Sequence, residues 1–178
     1  MGIQGAKHGR HLPNEIRCEG DDVFISIGAG LEAVVDSSDY RSVAPFRWGV
    51  LKRGTNTYAH SQGLPGDPFR RVLLHRFIFG PCSADVEHRD RNGLNCRRGN
   101  LRAATRSQNN ANRAKFGGSS RFKGVCWDRI RKRWKARIKV NKKIIYLGCF
   151  VYEFDAAQAY NFSAEEHFRE FSRLNAPC

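Results

Sequence analysis

The chain has 178 residues, 40% hydrophobic and 27% charged, and its 31 Lys+Arg against 17 Asp+Glu leave a formal net charge of +14. That length holds one ordinary domain or two small ones, and the composition is that of a folded chain, so wholesale disorder and a large multidomain enzyme are both excluded. No apolar run approaches the roughly 18 residues of a membrane span, and Met1–Glu15 lacks the apolar core of an export signal, so a cytoplasmic protein with no membrane partner is expected.

In chain order, the first third reads as short strands, Val23–Ile27, Ala33–Val35, Trp48–Leu51 and Thr57–His60, separated by Gly and Asp/Ser turns. Val86-Glu87-His88 then ends a short strand, the polar stretch Arg89–Asn100 reads as a loop, and Leu101–Ala104 is a second apolar run. Thr105 and Gln108 stand at the spacing of a capping box, which opens a helix through Arg113. Ala114–Ser120 is too rich in Gly and Ser for helix or strand and reads as a linker. Beyond it come a strand over Arg121–Trp127, another over Arg133–Val140, a hairpin turn at Asn141-Lys142 and a third strand over Ile144–Phe150. Over Glu153–Phe171 the apolar period becomes helical, with Phe154, Ala157, Tyr160, Ala164, Phe168 and Phe171 on one side. The reading is an α+β protein with domains over 1–113 and 119–178 joined by a linker at 114–118. The six cysteines are scattered with no C-x-x-C pair, so reduced thiols are expected, and no zinc.

The charge is concentrated. Residues 1–60 hold 7 basic and 7 acidic side chains, whereas residues 113–150 hold 13 basic and 1 acidic. A solvated basic tail would lack apolar residues, but Arg133–Val140 alternates basic and apolar throughout. Alternate side chains of a strand face opposite ways, so Arg133, Lys135, Arg137 and Lys139 share one face while Trp134, Ala136, Ile138 and Val140 share the other. A three-stranded antiparallel sheet with its apolar side under the helix and its basic side open matches the major groove of double-stranded DNA.

The middle segment carries the chemistry. A strand, a loop and a returning helix can bring Glu87, His88 and Asn109 around one point. A carboxylate and an amide oxygen are hard ligands for Mg²⁺ or Mn²⁺, and an imidazole that titrates near neutrality can take a proton from water. Spacing alone also fits an ordinary Asn/Arg-rich loop beside a Glu-His pair, and a non-catalytic DNA-binding regulator with a decayed site is the alternative function.

Two resemblances bear on that choice. Arg121-Phe-Lys-Gly-Val125, Trp134-Lys-Ala136, Leu147-Gly-Cys-Phe150, Ala156-Ala-Gln-Ala-Tyr160 and Asn175 resemble the apetala/ethylene-response-factor DNA-binding domain. That likeness implies DNA contacts at Lys123, Arg137, Lys139 and Tyr146, with Arg121 in the same motif. Cys126 stands where that family usually has Arg, so its target sequence does not transfer. Leu74-His75-Arg76, Glu87-His88, Asn92-Gly93, Arg97-Arg98, Asn100-Leu101-Arg102 and Ala104–Asn109 resemble the His-Asn-His nucleases, specifically phage-type homing endonucleases. That second likeness implies a ββα-metal (His-Me finger) nuclease domain in a phage-infected or bacterial cell, and one metal site per chain with no dimerisation heptad leads to the expectation of a monomer that nicks DNA. The likeness places His88 as general base, Glu87 and Asn109 as metal ligands, and Asn100 as the residue that holds the loop. His75 matches a recurring upstream histidine, or is a structural one. Arg97, Arg98 and Arg102 suit phosphate binding and solvated loop positions equally. Glu87 stands where the family usually has Asp, and Asn95-Cys96 where it has Asp-Asn.

Overall fold

The computed structural model describes residues 14–61, 63, 71–115 and 117–176. It is a mixed α/β structure of small antiparallel sheets and few helices, divided into two compact units. One unit takes Met1–Cys82 and His88–Arg102, the other Ser83–Glu87 and Ala103–Cys178. No described helix is long and apolar enough to cross a membrane.

In the first unit, β1 (Ile16–Glu19), β2 (Asp22–Gly28) and β3 (Leu31–Asp36) form one sheet in that order. The period-2 pattern of β2 sends Val23, Ile25 and Ile27 inward to meet Ala33 and Val35 of β3, all at most 5% exposed. A short helix, α1 (Tyr40–Val43), leads to the hairpin of β4 (Trp48–Arg53) and β5 (Asn56–Ser61). The carbonyl of Val43 accepts the Trp48 indole N–H at 3.0 Å, so this buried ring leaves no donor unpaired. The helix α2 (Leu74–Phe79) packs Phe77 edge-on against Phe46 and Trp48, and buries Leu74, His75 and Ile78. The apolar run there reads as well for a strand, and no helix signal marks it in the sequence.

The polar stretch after His88 is a loop whose backbone is tied down. Val34 donates its N–H to Leu94, and Cys96 donates back to Val34, both at 2.8 Å. Gly93 sits so close to β5 that a Cβ would fall 2.3 Å from the Thr57 carbonyl and 2.8 Å from the Tyr58 ring. Only glycine fits that approach.

β6 (Asp85–His88) and β7 (Leu101–Ala104) pair as a two-stranded sheet. After β7, Thr105 opens α3 (Arg106–Asn112) with the full capping box, its side chain accepting the Gln108 N–H while Gln108 accepts the Thr105 N–H.

The second unit holds β8 (Val125–Asp128), β9 (Arg133–Val140) and β10 (Lys143–Phe150) in the order β10-β9-β8, all antiparallel, with α4 (Glu153–Phe168) across the apolar face. Asn141 and Lys142 have φ of 47° and 70°, the paired positive values of a type I′ hairpin turn. The strand expected over Arg121–Trp127 begins only at Val125. Gly124 before it has φ of 79°, and a Cβ there would strike the Tyr160 ring at 1.9 Å. The buried side of α4 also differs from the periodic reading: it is Ala156, Ala157, Tyr160, Ser163, Ala164 and Phe168. Phe154 lies at the helix start, 38% exposed, against the edge of Phe122. Ala111 of α3 enters the same core, in a cluster with Ile138, Tyr160, Ala164 and Phe168.

Candidate active site

In the first unit the site is histidine-rich and buried. His88, the last residue of β6, and His75 of α2 are 6% and 4% exposed. Their rings meet edge to face at 4.8 Å, and the Tyr58 ring lies 5.6 Å from His75 and 6.1 Å from His88. Burial pushes the His75 imidazole down to about 3, with His88, Arg76 and Arg53 adding to the effect. Burial likewise pushes His88 down to about 4, against the opposing pull of Asp90. Both rings are therefore neutral at pH 7, and a neutral imidazole has a lone pair to accept a proton. The Nδ1 atom of His75 is buried with no hydrogen-bond partner among the described residues.

Asn100 closes the loop that follows His88. Its Nδ2 donates to Asp90 Oδ1 at 2.9 Å and to the Asn95 carbonyl at 2.8 Å, while its Oδ1 accepts the Asp90 N–H at 3.0 Å. Asn95 donates to the other Asp90 oxygen at 2.6 Å. Burial alone would raise the Asp90 carboxyl. The hydrogen bonds it accepts from the Asn92 N–H, Asn95 and Asn100 outweigh that and hold it below the ordinary carboxylate range. Asn100 is thus placed within the loop, bound to Asp90 and Asn95, rather than at the histidines.

In the second unit, α3 faces the acidic side of β6. Asp85 and Glu87 are two residues apart on a strand and share a face. Asn109 and Asn112, three apart on α3, meet them in register: Asn109 Nδ2 donates to Asp85 Oδ2 at 3.1 Å, and Asn112 Nδ2 to Glu87 Oε2 at 3.4 Å. Arg106 adds an ion pair to Asp85 at 3.3 Å. Asn109 is therefore placed against Asp85, and it is Asn112 that touches Glu87. Neither Asp85 nor Asn112 was singled out from the sequence as a site residue. The signal was present, since i, i+2 on a strand and i, i+3 on a helix each define one face.

Among the described residues, no group of three or more His, Cys, Asp and Glu could hold a metal ion. Both amides donate N–H to the carboxylates here, so an ion at this place would be held by the two carboxylates, and the amide oxygens would join them only when the amides turn. Such a set supplies hard oxygen donors, which fit Mg²⁺ or Mn²⁺ by chemistry.

The arginines of the loop pair with acidic residues of the first unit, Arg97 half-buried and Arg98 exposed. Arg97 forms a two-pronged ion pair with Asp22. Arg98 grips Asp39 through Nε at 2.9 Å and Nη2 at 2.7 Å, and its backbone N–H donates to Asp36 at 2.7 Å. Arg102 is 8% exposed on β7, away from the solvated surface.

On the second sheet, Arg133, Arg137 and Lys139 are exposed and Lys135 is half-buried, opposite the apolar face. Tyr146 pairs with Arg137 across the strands and is 57% exposed. Its hydroxyl donates to the Cys149 thiol at 3.0 Å. Arg121 lies with its guanidinium 4.8 Å from the Phe122 ring centroid. Lys123 is placed differently: its ammonium donates to the carbonyls of Asn110, Ala111 and Arg113 at the end of α3.

A family model described as HNH endonuclease matches residues 72–111, which run from the start of α2 to near the end of α3. A protein of Acanthamoeba polyphaga mimivirus named as an uncharacterised HNH endonuclease is 32% identical over 181 residues, covering 92% of this chain and 90% of its own length. No solved structure matches.

Proposed function

This chain belongs to the HNH endonuclease family, and we propose that it is a metal-dependent DNA endonuclease of homing type whose C-terminal sheet reads the duplex. The observation that carries the reading is the sequence of functions along β6. A buried neutral imidazole, His88, directly follows Glu87, a carboxylate that meets an amide of α3. On this reading β6, β7 and α3 form a ββα-metal motif, as the His-Asn-His resemblance implies.

The chemistry then divides among the residues. His88 accepts the proton of the attacking water, which a neutral ring can do at pH 7. The His75 and Tyr58 rings pack against His88 and hold its orientation. Asn100 fixes the loop after His88, and so its direction. Glu87 and Asn109, with Asp85 and Asn112 beside them, would hold one Mg²⁺ or Mn²⁺. Such an ion, when bound, supplies charge neutralisation for the phosphate and the leaving oxygen. The open basic face of β8–β10, with its resemblance to the apetala/ethylene-response-factor domain, would lie in the major groove through Arg133, Lys135, Arg137, Lys139 and Tyr146.

Plasmid relaxation with Mg²⁺ or Mn²⁺, compared with EDTA, tests this. Cleavage is expected only with metal. His88→Ala should reduce the rate by about 10²- to 10⁴-fold with duplex affinity in EDTA retained. Binding without cleavage by the unaltered chain would favour the DNA-binding regulator instead.

A further inference from the structure

The helix that carries Asn109 and Asn112 is short, and by itself would not hold its shape. Seven residues lie below the length at which an isolated helix is stable in water, so α3 must take its order from what it packs against. Four contacts tie it to the C-terminal sheet module. Ala111 is 5% exposed in the cluster with Ile138 of β9 and Tyr160, Ala164 and Phe168 of α4. At the first turn, the Ser107 hydroxyl accepts the N–H of Asn141, in the β9–β10 turn, at 3.0 Å. At the last turn, the Arg173 N–H donates to the Ala111 carbonyl at 3.2 Å. The fourth contact is ionic. The Lys123 ammonium caps the carbonyls of Asn110 at 3.2 Å and Arg113 at 2.8 Å, and that of Ala111 as well. A cation over the orphan carbonyls of a helix end both satisfies them and opposes the helix dipole.

We propose that the C-terminal sheet module is a working part of the metal site, with Lys123 as a positioning residue: by capping α3 it sets the amides of Asn109 and Asn112 against Asp85 and Glu87. This rests on the metal-ligand reading above. Lys123 then acts on metal affinity and not on the DNA backbone, although the family resemblance places it among DNA contacts. Asn112 is the last residue of α3, within the turn that Lys123 caps, so loss of the cap displaces it first. A shift on the order of 1 Å at a site of this kind costs about 100-fold in function, and partial fraying costs less.

The test is Mn²⁺ binding to the full chain without DNA, followed by electron paramagnetic resonance of the unbound ion, with folding monitored by thermal melts. Glu87→Ala should abolish binding. Lys123→Met should weaken it about 10-fold, while duplex affinity in EDTA and its salt dependence stay unchanged. Lys123→Arg, which retains a cation able to cap, should restore most of the affinity. If Lys123→Met fails to fold, Ser107→Ala, which releases only the other end of α3, should weaken Mn²⁺ binding about 3-fold. Unchanged Mn²⁺ affinity in folded Lys123→Met, or in Ser107→Ala where that variant decides, overturns the inference and leaves the ligand reading intact. Unchanged affinity in Glu87→Ala overturns the ligand reading, and the inference with it.

Discussion

Glu87 is one methylene longer than the Asp that the His-Asn-His resemblance leads one to expect at its position, and its surroundings say how that length is used. Its carboxylate reaches Asn112, at the end of α3, while the nearer Asn109 is taken by Asp85. Shortening it withdraws the oxygen from Asn112 by about 1 Å, a displacement that can cost on the order of 10²-fold in rate. Glu87→Asp is therefore expected to lower metal-dependent cleavage of plasmid, and a more active Glu87→Asp enzyme would show that the length is a defect. His75 makes a second residue-scale case. It could be assigned from sequence to catalysis or to structure, and its place is against the His88 ring at 4.8 Å. The pair was legible only as two separated letters, because nothing local encodes which rings will touch.

At the scale of elements, the alternation of β9 was legible because a period of two needs no partner to be read. The burial pattern of that strand follows it residue by residue from Ala136 to Lys139, while Trp134 and Lys135 are both half-buried. The capping box of α3 was legible for the same reason, as its two partners stand three positions apart. The loop arginines were not. Arg97 pairs with Asp22 and Arg98 with Asp39, 75 and 59 positions away in the chain. These ion pairs give a discriminating experiment. Arg137→Ala or Lys139→Ala should each reduce the log–log salt slope of duplex binding by roughly 1, the change expected when one phosphate is no longer neutralised. Arg97→Ala and Arg98→Ala should leave the slope unchanged and lower the urea midpoint of unfolding. A slope that falls in the loop variants as well would return those arginines to the phosphate-binding set.

The whole molecule should be acid-sensitive through its buried imidazoles. His75 titrates near 6.5 when unfolded and at about 3 when folded, because burial disfavours its charged form. Between those values the unfolded state binds more protons, so the stability is fully present above about pH 6.5 and is lost as the pH falls toward 3. Each such group contributes up to about 1.4 kcal/mol per pH unit. His75→Phe should flatten the fall of the urea midpoint between pH 6.5 and 4.5, and an unchanged slope would remove His75 as its source. Strand count belongs to this scale too. On the proposed reading one metal site per chain would hydrolyse one phosphodiester at a time, and no heptad for dimerisation is present in the sequence. Dilute enzyme should accumulate nicked circles before linear DNA. Linear product with no nicked intermediate would point to paired active sites.

Sequence by itself determined the two basic facts of this protein: a nuclease-like strand–loop–strand–helix over the middle of the chain, and a sheet with one basic and one apolar face after it. Both rest on short-range periodicities and spacings, which survive without tertiary contacts. Only the tertiary structure decided that α3 is built into the core beneath β9 and α4 and that Lys123 serves its carbonyls. Each of those depends on surfaces brought together across ten or more residues, where the free energy comes from burial and from satisfying groups at helix ends. Neither contribution leaves a mark in the local order of residues.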